Sequence, residues 1–540
     1  MLGKWFWRYG IVCHTSSITL WVERKTRRTF VRVLLLPCDT RPPTLELPHQ
    51  LARVAGVELL SPPLEILNRL NQPGDAAAIA DWLRREAPAA DVAIITLETL
   101  TLGGMIPARR VSDRLEDVLG RLEVLREVKR DNPHLRLLAH GVIVRVAHDN
   151  DPLEEKPYYG EWGPQLRKVS EWTDRVERGG SQSELDHARI AVPPKVLEDW
   201  LATRERNHTM HQAAIDLLDE GVLEHLCLTL DDTAPYGLAA RDRRRLEARL
   251  DELDLWSKAD VYPGADEVAA TLLARALVNQ SGRKPKVYVR YPSVLAEAAA
   301  MLYEDRPLGE LLKAHLRGAG CVRVGDVGEA DFVLAVNAPA HRQGHREPDL
   351  EHVDTAARNL PEFIDRIRDD EIAGRRIVVA DVAYANGAEN RFTKLLFQQV
   401  KPVRLAGYAA WNTSGNTLGS AIAAGVCALH GSDPVALAEA NFSRLVDDWL
   451  YQGRVRAEVQ QVLTEELGKP PDPFDLGDFA WGAELHLQQR ISPLAQGLWQ
   501  THFAPSLPGV SLELGRAKLA WPRLFTGVFP LKLVRDGGKG

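Results

Sequence analysis

The sequence predicts an α/β protein in which parallel strands alternate with helices and form two Rossmann-like lobes around a cleft. From Val31 onward, short apolar runs alternate with amphipathic segments, and polar or Gly/Pro breaks separate the two. About eleven such runs occur, more than the eight strands of a (β/α)8 barrel. They divide into six and five around Ser281–Pro285. A (β/α)8 barrel with extra strands is the alternative architecture.

The first predicted lobe covers residues 31–280. Continuous apolar runs of this kind are typical of strands that helices cover on both faces. Its predicted strands are VRVLLLP from Val31, VELL from Val57, DVAIITL from Asp91, LRLLAHGVIV from Leu135, HLCLTL from His225 and ADVY from Ala259. A polar, helical insertion over about 150–220 interrupts the alternation, and we expect it to cap a site.

The second predicted lobe covers residues 281–430, and a helical extension over 431–540 follows it. Its predicted strands are KVYVRY from Lys286, CVRV from Cys321, DFVLAV from Asp331, RIVVAD from Arg376 and VRLAGY from Val403. Residues 1–30 lack the strand-helix alternation. We expect them to be an extension upstream of the native start.

Composition excludes several classes of protein. The net charge of -7 arises from 67 basic and 74 acidic residues spread along the chain, so no basic face indicates nucleic-acid binding. No apolar run reaches the length of a membrane span. The five cysteines include no CxxC, which argues against a disulfide framework or a zinc site. We expect a cytoplasmic protein with a small-molecule partner, and the sequence leaves its oligomeric state open.

Polar side chains follow most of the predicted strands, at the edge where parallel α/β proteins bind their ligands. In chain order these candidate site residues are Asp39, Arg41, Glu98, Arg145, Asp231, Asp232, Asp266, Glu267, Asn337, Trp411, Asn412 and Asn416. Asn207 joins them from a predicted helix, where Arg204 three residues earlier shares its face. A solvated helix face is the alternative interpretation of that pair.

Asp231 and Asp232 are the predicted catalytic residues. Neighbouring carboxylates in different environments can supply one ionised and one proton-bearing group, as general acid/base chemistry on a glycosidic oxygen requires. The alternative is that Asp232 caps the following helix while Asp231 supports the loop. For Asp266, too, the alternative is that it caps the helix that follows it. The acidic pairs could also hold Mg²⁺ or Mn²⁺, whose preferred ligands are carboxylate oxygens.

Trp411, Asn412 and Asn416 lie in the segment AAWNTSGN. A flat apolar ring beside amide groups suits the faces and hydroxyls of a sugar. An ordinary turn is the alternative, because Asn, Thr, Ser and Gly are all common turn residues.

An ordered series of motifs resembles an uncharacterised bacterial family, domain of unknown function four-one-two-seven. The motifs are PCDTRPPT, VELLSPP, TLETLTLGG, RERN, LTLDDTAPYG, YPGADE, AAWNTSGNTLG and WPRLF. The resemblance covers nearly all of the chain from Val31 and implies no activity. The acidic pair alone is also similar to hexosaminidases that use the substrate's acetamido group as nucleophile. That similarity implies that Asp231 orients the acetamide and Asp232 donates the proton.

The leading hypothesis is a glycoside hydrolase for a small sugar, N-acetylated sugars included, that needs no cofactor. A divalent-metal-dependent isomerase or lyase using Mg²⁺ or Mn²⁺ at the same carboxylates is one alternative. A two-lobed sugar- or metabolite-binding protein without turnover is the other.

Overall fold

Two open parallel sheets form the framework of the protein, and helices cover both faces of each. The computed structural model describes residues 31–345 and 356–536. The prediction for residues 1–30 therefore lies outside the described residues. Two-lobed α/β architecture is confirmed, and the barrel alternative is wrong, because no sheet in the described part of the chain closes on itself.

The first sheet has six strands in the order β2-β1-β3-β4-β5-β6, all parallel. The strands are β1 (Arg32–Leu36), β2 (Glu58–Leu60), β3 (Val92–Thr96), β4 (Arg136–Ile143), β5 (His225–Leu230) and β6 (Ala259–Pro263). The helices of this lobe are α1 (Glu46–Ala55), α2 (Ala76–Glu86), α3 (Leu97–Leu102), α4 (Pro107–Arg110), α5 (Leu115–Asp131), α6 (Tyr159–Glu177), α7 (Gln182–Ile190), α8 (Pro194–Asp219), α9 (Leu238–Glu252) and α10 (Val268–Ser281).

The continuous apolar run in β1 reflects burial on both faces of the sheet. Val33 and Leu35 pack into one core with α1 and α10, whereas Leu34 and Leu36 pack into a second core on the opposite face. Successive side chains of a strand point to opposite faces, so a strand covered twice has no polar face to present. Because β1 lies between β2 and β3, the winding direction reverses there, and crevices at such points bind ligands in open α/β sheets.

The second sheet repeats the strand order of the first. Along the sheet its strands follow β8-β7-β9-β10-β11, which matches β2-β1-β3-β4-β5. They are β7 (Lys286–Arg290), β8 (Val322–Arg323), β9 (Phe332–Asn337), β10 (Ile377–Asp381) and β11 (Gly407–Ala409), and the helices are α11 (Leu308–Gly318), α12 (Leu360–Ile372), α13 (Asn390–Gln399) and α14 (Ser414–His430). Each lobe therefore has its own switch point.

A continuous core joins the two lobes. Helix α10 of the first lobe packs along α14 of the second, with Leu272 and Ile422 fully buried in a cluster that also includes side chains of both sheets. Burial of large aliphatic residues stabilises each lobe against the other by about 1.5–3 kcal/mol per side chain.

The insertion between β4 and β5 folds as three helices, α6 to α8. Tyr159, Leu166 and Trp200 form a small core of their own beside the first lobe. The second half of α8 instead packs on the first sheet, where Met210 and Leu218 are buried. The insertion is thus anchored to the first lobe. It holds the loop after β4 above the carboxyl edge of the first sheet.

Helices continue after α14 as α15 (Pro434–Arg444), α16 (Arg456–Leu467) and α17 (Ala480–Leu498), with π-helices at Leu445–Val455 and Trp499–Phe503. The last described segment contains strands, which the helical prediction for this region omits: β12 (Val510–Leu514), β13 (Lys518–Leu519), β14 (Gly527–Val528) and β15 (Leu531–Arg535). They pair antiparallel as β12-β15 and β13-β14. No helix in the described residues is long and apolar enough to span a membrane.

Candidate active site

A cleft of about 310 Å³ lies where the carboxyl ends of the two sheets meet. Its walls come from loops that follow strands of both lobes and from the C-terminal segment around Trp521. Six of the predicted site residues line it: Arg41, Arg145, Asp231, Asp232, Asp266 and Asn412. The lining is rich in charge, which suits a polar ligand.

Asp231 and Asp232 lie directly after β5, with 19% and 23% of their side chains exposed to the cleft. Arg109 Nη2 donates to Asp231 Oδ2 at 2.6 Å, and Arg145 Nη1 donates to Asp232 Oδ2 at 2.8 Å. Arg145 Nη1 also lies 3.7 Å from Asp231 Oδ2, so it contacts both carboxylates, whereas Arg109 bonds Asp231. The two arginines therefore offset the charge of the adjacent acids unequally.

The alternative that Asp232 caps the next helix is wrong. Helix α9 begins after Gly237 and has no side-chain cap there. Its first amides are satisfied from the insertion instead: Gly237 N donates to Asp174 at 2.9 Å, and Leu238 N donates to Ser170 Oγ at 2.8 Å. The carboxylate of Asp232 is thus available to the cleft.

Burial, together with the neighbouring charge of Asp231, raises the pKa of Asp232 to about 7. Arg145 and Arg109 act in the opposite direction, because a cation favours the carboxylate. Asp232 therefore exchanges its proton close to neutral pH, as a general acid or base must.

The insertion and the C-terminal segment meet at the cleft through an ion-pair network. Arg145 donates to Glu154 and Glu155, both at 2.9 Å. Arg523 Nη1 donates to Asp151 and Glu154, both at 2.8 Å. Arg523 Nε and Nη2 are buried without an acceptor among the described residues. Buried donors without partners are costly, so a ligand oxygen that accepted from them would be favoured.

Sequence reasoning missed Arg109, Asp151, Glu154 and Arg523. WPRLF, which contains Arg523, belongs to the motif series given above, but nothing local shows that a C-terminal arginine reaches an insertion some 370 residues earlier. Arg109 lies in α4, just beyond the Gly103–Gly104 turn. Only the tertiary fold brings it beside Asp231.

Arg41 organises a second part of the cleft. Its guanidinium donates to Asp39 Oδ2 at 2.8 Å and to Asp266 Oδ1 at 2.5 Å, and it lies 4.8 Å from the ring centroid of Trp521. Burial raises the pKa of Asp266 to about 6, against the effect of Arg41. Asp266 does not cap α10, because the N-cap position is Glu267 and no side chain caps that helix.

Cys38, Asp39 and Asp266 each place one potential metal-ligand atom within 4.8 Å of the others. Arg41 already bonds both carboxylates, so its guanidinium supplies the positive charge that an ion would bring. Burial and the nearby acids raise the pKa of the Cys38 thiol well above its usual range, so the thiolate ligand form is disfavoured. A divalent ion fits these residues only if Arg41 moves away.

Two predicted residues lie behind the side chains that line the cleft and contact them. Trp411 is buried, with its ring centroid 6.0 Å from the Arg41 guanidinium, and Asn416 Oδ1 accepts from the backbone amide of Asp266 at 3.2 Å. Together with Asp39 they position Arg41 and Asp266. In the second acidic pair, Asp266 and Glu267, only Asp266 lines the cleft. The Glu267 carboxylate lies away from the cleft and accepts from Ala265 N at 3.0 Å.

Three other predicted residues form buried contacts away from the cleft. Glu98 accepts from Val142 N and pairs with His211, both at 2.8 Å. Asn207 donates to the carbonyl of Ala108 at 3.0 Å, so the solvated-face interpretation is wrong for this buried residue. Asn337 donates to Asp381 at 2.8 Å and to Glu389 at 2.9 Å. The structure gives all three a positioning role for nearby loops.

The fold and the site define a two-lobed α/β protein with a cleft between its lobes that acidic and basic side chains line. The chain belongs to the family described as protein of unknown function, DUF4127, whose model matches residues 33–528. No curated protein matches the chain. The local similarity to substrate-assisted hexosaminidases is not supported.

Proposed function

We propose that the protein is a glycoside hydrolase that cleaves a small sugar substrate in the cleft. The observation that carries this proposal is the contrast between two adjacent carboxyl groups. Asp232 has a pKa of about 7, whereas Asp231 is ion-paired with Arg109. Cleavage of a glycosidic bond uses one carboxylic acid that protonates the leaving oxygen and one carboxylate beside the ring.

In this reaction Asp232 donates its proton to the glycosidic oxygen as the bond to the anomeric carbon breaks. The carboxylate of Asp231 stabilises the positive charge that develops on the sugar ring. A water molecule adds to the anomeric carbon, and the proton that it releases restores the acid form of Asp232. The products are a sugar with a free hemiacetal and the leaving alcohol, and the enzyme returns to its starting state.

The remaining lining supports recognition of a hydroxylated ligand. Asn412 and Arg41 offer polar groups on opposite lobes, and Trp521 and Phe525 offer ring surface from the C-terminal segment. A substrate oxygen near Arg523 would satisfy its two unpartnered N–H groups. This mixture of rings and hydrogen-bonding groups is typical of small-ligand sites.

A divalent-metal-dependent isomerase or lyase is the second candidate. The grouping of Cys38, Asp39 and Asp266 is the observation that favours it. It requires Arg41 to give up both carboxylates, so a metal would compete with a buried ion pair. This candidate predicts that activity depends on added Mg²⁺ or Mn²⁺.

The proposal is tested with a panel of nitrophenyl glycosides, N-acetylhexosaminides included, in the presence and absence of chelator. Asp231→Asn and Asp232→Asn each lower nitrophenol release by about 10²–10⁴-fold. Asp219→Asn, at an exposed helix end, is the matched control and releases nitrophenol at the wild-type rate. No release from any glycoside would contradict the proposal. Release that chelator abolishes would favour the metal-dependent candidate.

A further inference from the structure

A second cavity, of about 300 Å³, shares the π-helix Leu445–Val455 with the catalytic cleft. Trp449, Leu450 and Arg454 line the second cavity, whereas Gln452 and Gly453 line the cleft. The two cavities therefore contact different faces of one helix. We call the second cavity the π-helix groove.

The floor of the π-helix groove is apolar. Trp449 and Leu450 from the π-helix meet Leu494 and Leu498 from α17. The ring of Trp449 packs edge-on against Phe397, with centroids 5.7 Å apart. A volume of this size with an aromatic and aliphatic floor matches the body of a small organic ligand.

Positive charge lies at the rim of the groove. Lys394 makes no hydrogen bond or ion pair within the described residues and is exposed. Arg454 is the second cation, and Glu458 holds it at 2.8 Å. His502 also lines the groove, and burial lowers its pKa, so it adds no charge at neutral pH. Apolar surface beside an unpaired ammonium group matches a ligand with an apolar body and one anionic group.

The π-helix connects the groove to two loops of the cleft. The backbone carbonyl of Asp448 accepts from Ala388 N at 2.9 Å, and its carboxylate accepts from Ala410 N at 2.7 Å. These amides belong to the loops after β10 and β11. Trp449, the next residue, donates to Asn390 Oδ1 at 3.0 Å. π-helical segments are rare, and those that interrupt α-helices are frequently found at functional sites.

We propose that the π-helix groove binds a small amphipathic carboxylate. The apolar part lies on Trp449, Leu450 and Leu494, and the carboxylate lies at Lys394. A ligand in the groove changes the hydrogen-exchange protection of the two cleft loops, and Asp448 transmits this change. This inference does not depend on the reaction that the cleft catalyses.

Decanoate is the probe, and its binding is followed by calorimetry on the full chain. A side chain at Gly497 would enter the groove without a clash, because a Cβ there meets no atom within 4 Å. Gly482 lies in the same helix with the same free space but outside the groove, which makes it a matched control. Gly497→Leu weakens decanoate binding at least tenfold, and Gly482→Leu leaves it unchanged.

The charge is tested with Lys394→Gln, which weakens decanoate about threefold to fivefold. The same variant leaves decanol binding unchanged, and the control Lys401→Gln alters neither. Equal affinity for decanoate and decanol in the wild type would overturn the assignment of an anion. Absence of saturable decanoate binding, or binding that survives Gly497→Leu, would overturn the groove itself.

Coupling to the cleft is read by hydrogen exchange at the amides of Ala388 and Ala410. Saturating decanoate changes their exchange rates at least threefold in the wild type and in Gly482→Leu. It has no effect in Gly497→Leu. Unchanged exchange in a wild-type protein that binds decanoate would overturn the coupling.

Discussion

Asp232 combines two unusual features at the scale of a single residue. Its backbone is in the left-handed region, with φ of 44°, and its carboxyl group keeps a proton up to about pH 7. Asp and Asn are the side chains, after glycine, that tolerate this conformation best. Asp232→Asn therefore removes the titrating carboxyl group and retains the tolerance for a left-handed backbone. Asp232→Ala would remove both at once, so the two effects could not be separated.

The first prediction concerns the stability of this variant. Because the folded pKa of Asp232 is raised, its contribution to stability is lost as the pH rises through about 7. Asn cannot ionise, so Asp232→Asn raises the melting temperature by about 1–3 °C at pH 8 and by much less at pH 5. Thermal unfolding at the two pH values checks this. An equal change at both pH values, or a gain in Asp219→Asn that also grows between pH 5 and pH 8, would contradict it.

At the scale of elements, ten of the eleven predicted strands lie where their apolar runs predict them. The run VRLAGY is the exception: residues 402–404 form a 3₁₀ turn, and β11 begins only at Gly407. Pro402 accounts for this, since it lacks an amide for the sheet and fixes its φ. The short strands β12 to β15 were not predicted, because their pairing depends on contacts within the folded C-terminal segment, where β12 pairs with β15 across the intervening β13 and β14.

The second prediction concerns the contact between that segment and the insertion. Arg523 is 4% exposed and is paired with Asp151 and Glu154. Arg523→Leu removes the cation paired with Asp151 and one of the cations paired with Glu154, which costs about 3–5 kcal/mol of stability for a buried pair. Urea unfolding measures the loss. The control Arg516→Leu, at a 53% exposed side chain, changes stability by less than about 1 kcal/mol. Equal effects of the two variants would contradict this account.

At the scale of the whole molecule, the sequence predicts the strand-end residues but not which of them share a cavity. Asp231, Asp232, Arg41 and Asp266 follow the general rule for ligand sites in parallel sheets. Glu98 also follows a strand end, yet it is buried against His211. Which strand-end side chains turn toward the cleft depends on helix and loop packing, which no local pattern records.

The third prediction is that stability falls as the pH rises from 6.5 to about 8.5. Burial raises the pKa values of several carboxyl groups, and their ionisation destabilises the folded state. These groups are Asp232, Asp381 and Asp448 at about 7, and Glu267 and Glu304 at about 8. Buried histidines such as His315 have lowered pKa values, and their opposing contribution fades above about pH 6.5, the ordinary pKa of an imidazole.

Chemical unfolding across this pH range tests the prediction. Glu304→Gln flattens the fall between pH 7 and 8.5, because glutamine can still accept from Gly415 N but cannot ionise. The exposed control Glu310→Gln leaves the slope unchanged. A stability that stays constant or rises above pH 6.5 would contradict the assignment of these buried acids.

The most direct test of the central claim is the pH dependence of kcat/KM for a nitrophenyl glycoside that the wild type cleaves. Asp232 must be protonated to act as the acid, so kcat/KM falls as the pH rises through about 7. In Asp232→Asn this alkaline limb disappears together with most of the activity. A limb that persists unchanged in Asp232→Asn, or a wild-type rate that stays level across neutral pH, would contradict the role of Asp232 as proton donor.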